Sequence, residues 1–244
     1  MSDSADDHTP GNRILEALPG DAQARLAPRL ELVNLKPGDV IYEANQPLSH
    51  IYFPTTAIVS LLYTMENGSS AQMGVVGNDG AVGIAVFMGG ETSPSRAVVQ
   101  CAGQAKRLAL QYFRPEFAVI GDLHRLLLLY TQALMTQMCQ TAVCNRLHSI
   151  EQQLCRWILL SHDRIAGDEL VVTQEMIANA LGVRRAGVSE AARRLQEQGA
   201  IRYRRGRMRI VDRHGLESRA CECYRVVRTE CERLFTTRQA PHIA

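Results

Sequence analysis

Between Arg184 and Arg213 the chain carries ten arginines against three acidic residues, although its 244 residues sum to a net charge of only +2. The basic charge is local, and the rest of the chain is net acidic. Five of these arginines, Arg202, Arg204, Arg205, Arg207 and Arg209, fall in "IRYRRGRMRI", which reads as an alternating strand pair turning at Arg205-Gly206. Just upstream, Thr173 is placed to N-cap a helix from Gln174 to about Leu181, and Gly182 supplies a tight turn. A second helix is expected from about Arg184 to Gln198, closed by Gly199. Ala178, Gly182 and Val188 stand at the spacing of a helix-turn-helix: a small residue where two helices touch, a glycine in the turn, and an apolar residue locking the second helix. On that helix Val188, Ala191, Ala192 and Leu195 face inward, leaving Arg184, Arg185, Ser189, Glu190, Arg193 and Arg194 outside. A charged face alone is usually solvated surface. Phosphates spaced every few ångströms along double-stranded DNA account for this face and the arginine hairpin together, because each arginine can neutralise one and release its counterions.

Other chemistry is sparse. Seven cysteines occur, the first at Cys101, and their spacing forms neither a paired CxxC metal pattern nor a secreted disulfide framework. Cys221 and Cys223 would stand about 200° apart on a helix, which keeps them from one metal ion. Cys221, Cys223 and Cys231 are therefore read as ordinary thiols with no assigned role, and no metal site is expected. Haem through His124 or His148 is disfavoured, since a histidine on a packed helix is more often a polar contact. Residues 35 to 110 hold a single histidine, His50, and no cluster with metal-ligand spacing, so an enzyme built on this region lacks support.

These residues need a scaffold, and a hydrophobic content of 46% allows two domains with cores of their own. The start, "MSDSADDHTPGN", is acidic and polar and reads as a disordered arm over residues 1–13. Residues 12 to 34 carry helix-spaced leucines broken by Pro19-Gly20 and Pro28, suggesting one or two short helices. From Leu35 to Leu110, short apolar runs such as "DVIY", "HIYF", "AIVSLLYTM" and "AVVQC" alternate with turn signals, the pattern of a β sandwich or jelly roll. Asn67-Gly68 is the firmest hairpin among them. Beyond Pro115 a helical pattern runs to about His148, with Leu123, Leu127, Tyr130, Leu134, Met138 and Thr141 at steps of four and three. A seam about 40 Å long is expected to join a second copy of the chain, the alternative being a core helix packed on its own domain. A further helix, "EQQLCRWILLSHDRIAG", and a short strand, "ELVVT", precede the helix-turn-helix. No apolar run approaches the roughly 20 residues of a membrane span, and a signal peptide is not recognisable, so a cytoplasmic location without a membrane partner is expected.

In this order of parts the chain resembles the Crp/Fnr superfamily of bacterial transcription regulators, from about Ile14 to Val211, with "KPGDVIYEANQP" near the start of the barrel. The resemblance implies an α+β protein: an N-terminal β jelly-roll, cyclic-nucleotide-binding-like sensor domain over 14–114, a long dimerisation helix over 115–148, and a C-terminal winged helix-turn-helix domain with a C-terminal helix over 149–244. It further implies a homodimer on a palindromic operator, a recognition helix in the major groove, and RNA polymerase as a further candidate partner.

The motifs also depart from the family. Its cyclic-AMP binders carry Gly-Glu-Leu and, about ten residues later, Arg-Ser or Arg-Thr; here "VGIAVFMGGETSPSRAVV" keeps Gly83 but has Ile84 and Ala85 in place of Glu and Leu. Arg96 lies about one place out of register. An apolar Ile84 cannot accept a ribose hydroxyl, so cyclic AMP is not the expected effector, while Arg96 leaves room for an anion. Gly83, Ile84, Ser95 and Arg96 are the candidate effector pocket. The oxygen-sensing branch's N-terminal cysteine cluster is missing, so no iron-sulfur centre or other cofactor is expected. Matched on Gly182 and Val188, the base-reading positions hold Arg185, Ala186, Ser189 and Glu190, where Arg185 can reach a guanine and Glu190 can accept from a cytosine amino group. Candidate DNA contacts are Thr173, Gln174, Arg184, Arg185, Ser189, Glu190, Arg193, Arg205 and Arg207. The expectation is a non-enzymatic regulator responding to a small effector other than cyclic AMP, or, alternatively, a DNA-binding regulator whose barrel is an inert scaffold.

Overall fold

The computed structural model describes residues 11–119 and 121–236. It begins with two short helices, α1 (Arg13–Glu16) and α2 (Gly20–Leu26). Asn12 caps α1, its side-chain oxygen accepting from the N–H groups of Ile14 and Leu15, while its amide donates to the carbonyls of Pro54 and Gly80 at 2.9 and 2.8 Å. The arm expected over residues 1–13 lies outside the described residues up to position 10. Asn12 and Arg13 correct its end, because the buried Asn12 amide finds its acceptors only inside the first domain.

Seven strands follow: β1 (Leu30–Leu35), β2 (Val40–Tyr42), β3 (His50–Pro54), β4 (Ile58–Thr64), β5 (Ser70–Val76), β6 (Arg96–Cys101) and β7 (Gly103–Ala109). They form a three-stranded sheet, β1-β7-β3, and a four-stranded sheet, β2-β6-β4-β5, the two layers of a jelly roll. β1 falls where helix-spaced leucines were expected to continue. Pro28 closes a turn of 3-10 helix at Ala27–Arg29, and the chain then extends to pair with β7 from Leu30↔Leu108 to Leu35↔Gly103. The β4–β5 hairpin turns at Asn67-Gly68, with Gly68 at φ +82°.

The long helical pattern is two helices. α3 (Leu110–Ala118) starts earlier than expected, contains Pro115 and ends with Val119 extended, and α4 (Asp122–Leu147) follows. The seam expected to meet a second copy is covered by its own chain. Leu123, Leu127, Tyr130 and Leu134 join Ile51, Phe53, Leu61 and Phe113 in the jelly-roll core, and Met138 packs against it. Thr141 is buried too, receiving a hydrogen bond from Arg156. This corrects the dimer interface: an α4 that lies on its own barrel buries its most apolar face there, as the alternative reading held. Its opposite face leaves Leu128 48%, Met135 55%, Val143 43% and Leu147 71% exposed.

Ser149 and Gln152 form a capping box that starts α5 (Ile150–His162). Then come β8 (Glu169–Val171), α6 (Gln174–Leu181), α7 (Arg185–Glu197), β9 (Ile201–Arg204), β10 (Arg207–Ile210), α8 (Arg213–Arg219) and α9 (Glu222–Thr236), with a sheet ordered β8-β10-β9. Their core gathers Leu154, Trp157, Ile158, Ile177, Val188, Leu195 and Met208, and takes in Ile58 and Val75 from the jelly roll. Polar stitches cross the same seam. The Trp157 indole donates to Gln72 at 3.0 Å, Gln100 donates to Ser161 at 3.0 Å, and Arg164 pairs with Asp79 at 2.6 Å. The Gln137 side chain of α4 accepts from and donates to the Val75 backbone, covering the free edge of β5. Among the described residues no helix is long and apolar enough to cross a membrane.

Candidate nucleic-acid interface

The helix-turn-helix is built locally. The Thr173 hydroxyl accepts from the Met176 N–H at 3.2 Å and starts α6, and Gly182 ends it in the left-handed region at φ +65° and ψ +33°. A side chain would be strained there, which is why glycine stands in the turn. Ala178 and Val188 are buried between the helices. α7 runs so close over α5 that a Cβ at Gly187 would meet Ile150 Cδ1 at 2.8 Å.

The outward surface carries charge in two groups. Thr173, Gln174, Arg185, Tyr203, Arg205 and Gly206 line one cleft of about 420 Å³ between the start of α6, the first turn of α7 and the β9–β10 turn. Arg184 is exposed beside it. Other candidates already have partners. Ser189 donates to Gln174 at 2.6 Å, Glu190 accepts from Arg194 at 2.5 Å, Arg193 donates to Glu197 at 2.5 Å, and Arg207 donates to Glu169 at 2.5 Å. These ion pairs are solvent-exposed and worth about 0–1 kcal/mol each, so a phosphate can displace the carboxylate.

The β9–β10 hairpin turns through Arg205 at φ +50° and Gly206 at φ +76°, both positive as a type I′ turn requires. Ile201 and Met208 point inward; Arg202, Arg204, Arg207 and Arg209 point to solvent. The register sets Arg202 directly opposite Arg209 and Arg204 directly opposite Arg207. Arg202, Arg204 and Arg209 have no ion pair among the described residues. All five hairpin arginines are expected phosphate partners from the sequence, with only Arg205 and Arg207 named as candidate contacts, and the period of two in "IRYRRGRMRI" puts Arg202, Arg204 and Arg209 on the same face as Arg207. The Tyr203 hydroxyl donates to the Val172 carbonyl at 2.8 Å and ties the hairpin to the start of α6.

The effector candidates do not converge. Gly83, at φ +111°, lies against the backbone of His50 and Ile51, and Ile84 packs on the jelly-roll core. Ser95 and Ala97 face inward, whereas Arg96 between them turns out of the barrel and pairs with Glu43 at 3.0 Å. The one-residue register shift thus sends Arg96 to the other face of the sheet. There it lines a cavity of about 360 Å³ with Ser60, Gln100, Trp157, Met176 and Asn179, between the jelly roll and the helix-turn-helix. This corrects the four-residue pocket.

One group of residues went unrecognised in the sequence. Cys221 precedes α9 and Cys223 lies in its first turn, so the angular separation expected for two helical positions does not arise. Both meet Cys144 and His148 from the end of α4, with all four ligand atoms within 4.8 Å of one another. The C-x₃-H and C-x-C spacings are legible; that they meet across 73 residues is not.

A jelly roll joined by a long helix to an arginine-faced winged helix-turn-helix defines a two-domain, DNA-binding regulator. The profile of the cyclic nucleotide-binding domain family matches residues 32–118, and that of the Crp-like helix-turn-helix domain matches residues 152–219. Carrying these two domains in this order, the chain belongs to the Crp/Fnr family of transcription regulators. Solved structures share the fold. A Crp/Fnr-family protein from Eubacterium rectale is 14% identical with a TM-score of 0.65, covering 84% of this chain and 96% of its own. A CRP-family regulator from Thermus thermophilus is 18% identical with a TM-score of 0.64, over 77% and 96%. FixK2 from Bradyrhizobium japonicum is 14% identical with a TM-score of 0.62, over 79% and 98%. No curated protein matches the chain in sequence.

Proposed function

We propose that the protein acts as a homodimer on a palindromic DNA site, with α7 of each protomer in the major groove and the β9–β10 hairpin along the flanking backbone. The observation that carries this reading is the pair of arginines facing arginines, Arg202 opposite Arg209 and Arg204 opposite Arg207. Like charges directly opposed cost stability in the free protein, and a row of phosphates turns that cost into attraction. Arg185, at the start of α7, is the base reader, with Ser189 and Glu190 one turn further along the same helix. Thr173, Gln174, Arg184 and Arg205 flank it at the backbone, and Arg193 and Arg207 exchange their carboxylates for phosphates. Dimerisation uses the exposed face of α4, where Leu128, Met135, Val143 and Leu147 follow at intervals of seven, eight and four residues.

The effector is a small polar molecule other than cyclic AMP, held in the interdomain cavity. Arg96 Nε is buried there without a hydrogen-bond partner among the described residues, and the volume of about 360 Å³ suits a small ligand. Titrating a selected duplex and a scrambled one with wild type and an Arg185→Ala variant tests the DNA reading. Loss of about 1–3 kcal/mol per half-site on the selected duplex alone supports it; equal weakening of both duplexes moves α7 onto the backbone.

A further inference from the structure

Cys144 stands in the last turn of α4, His148 just beyond it, Cys221 immediately before α9 and Cys223 in its first turn. The three thiols are 0%, 4% and 1% exposed, and form a buried cluster of their own. Cys144 Sγ lies 3.5 Å from Cys221 Sγ, and Cys223 Sγ lies 3.6 Å from His148 Nδ1. Zinc–sulfur bonds of about 2.3 Å and zinc–nitrogen bonds of about 2.0–2.1 Å give a tetrahedron with S···S edges of about 3.8 Å and S···N edges of about 3.6 Å. The S···N edge of 3.6 Å matches such a tetrahedron and the S···S edge of 3.5 Å falls a few tenths of an ångström inside it, with every other pair within 4.8 Å, close enough for one ion to reach all four ligands.

Two surrounding groups fit the same occupant. His148 Nε2 is 3.5 Å from a Glu222 carboxylate oxygen, which directs Nδ1 at the thiols, as carboxylates do for metal-bound imidazoles. Arg156 is buried within electrostatic reach of all three cysteines and has no carboxylate partner among the described residues. It donates to Thr141 at 2.8 Å and to the Gln137 carbonyl. A buried guanidinium needs a counter-charge, and three thiolates with one imidazole around a divalent ion carry a net charge of about −1.

We propose that Cys144, His148, Cys221 and Cys223 bind a single thiolate-preferring divalent ion of the zinc class, which fastens the end of α4 to the start of α9. The site is closed by four protein ligands and leaves no position for substrate, so its role is structural. Binding releases the three thiol protons to solvent as the metal–sulfur bonds form. The clamp sits at the junction where α4 passes into α5, so the ion holds the DNA-binding half against the helix that leaves the sensor half.

The test is elemental analysis and cobalt substitution of the full-length protein, isolated anaerobically with a reductant. One zinc-class ion per chain is expected. Cobalt(II) titration should saturate at one equivalent, with the intense visible bands of a tetrahedral site and thiolate charge transfer in the near ultraviolet. Glu222→Gln should lower metal affinity by about 10–100-fold while keeping the ligand set. Cys144→Ser should abolish stoichiometric binding, whereas Cys139→Ser should leave it intact. Should Cys144→Ser fail to fold, the wild-type cobalt spectrum alone decides. A reduced wild-type protein that takes up no equivalent, gives only the weak spectrum of octahedral cobalt, or loses metal equally through Cys139→Ser overturns the site. None of these outcomes bears on DNA binding, which is measured separately by duplex titration.

Discussion

Replacing Arg202 with glutamine should make the free protein slightly more stable and its complex with DNA weaker. Arg202 lies on the outer strand of the hairpin, faces Arg209, and has no acidic partner among the described residues, so its removal relieves a repulsion and breaks no ion pair. Directly opposed like charges cost about 0.2–1 kcal/mol. For a chain of this size that relief raises the melting temperature by up to about 4 °C. On DNA the same change removes one phosphate contact per protomer. The slope of log K against log salt should fall by about 0.9 per contact, hence by about 1.8 for two half-sites. Between 50 and 200 mM salt the gap between variant and wild type should therefore close by about tenfold. The assay is fluorescence anisotropy with one selected and one scrambled duplex at four salt concentrations, beside a thermal melt of the free protein. Because the contact is to the backbone, both duplexes should weaken alike. An unchanged salt slope refutes the placement of the hairpin on DNA, and a lowered melting temperature refutes the repulsion argument.

Four further outcomes follow from other parts of the molecule. A Met135→Glu, Val143→Glu double variant should sediment as a monomer with little change in protomer stability, whereas Leu127→Ala should cost about 2–5 kcal/mol in denaturant unfolding and leave the assembly state unchanged. Asp79→Asn should destabilise by about 3–5 kcal/mol, because it strands the buried Arg164 guanidinium; chemical denaturation reads it directly. Trp157→Phe removes the donor to the buried Gln72 oxygen and should cost about 1–3 kcal/mol, with a loosened seam visible as faster amide exchange in α6. Millimolar cyclic AMP should leave the melting temperature unchanged, and saturable micromolar binding by calorimetry would contradict the outward placement of Arg96.

What was legible in the sequence was local. Thr173, Gly182 and Gly199 punctuate α6 and α7 with side chains and backbone preferences that act within a turn, and the observed α6 begins and ends where they imply. The jelly-roll strands announced themselves through alternation and through Asn67-Gly68. What was not legible required knowing which surface meets which. The period of Leu123, Leu127, Tyr130 and Leu134 reveals an apolar face on α4 but not its partner, and the jelly roll takes that face first. β1 hid behind helix-spaced leucines because its partner, β7, lies some 70 residues on. Arg96 kept its residue type while one step of register moved it across a sheet. Cys221 looked helical because α9 follows at once, and only the folded chain shows it outside the first turn, facing Cys144.

The central claim is that two copies of this chain read a symmetric DNA site through α7. Selection of bound fragments from a random duplex library with the purified wild-type protein tests it most directly. The expected result is an inverted repeat whose half-sites are centred about one helical turn, 10–10.5 base pairs, apart and whose enrichment vanishes with Arg185→Ala. Recovery of no consensus, or of a single asymmetric site bound by one protomer, would contradict it.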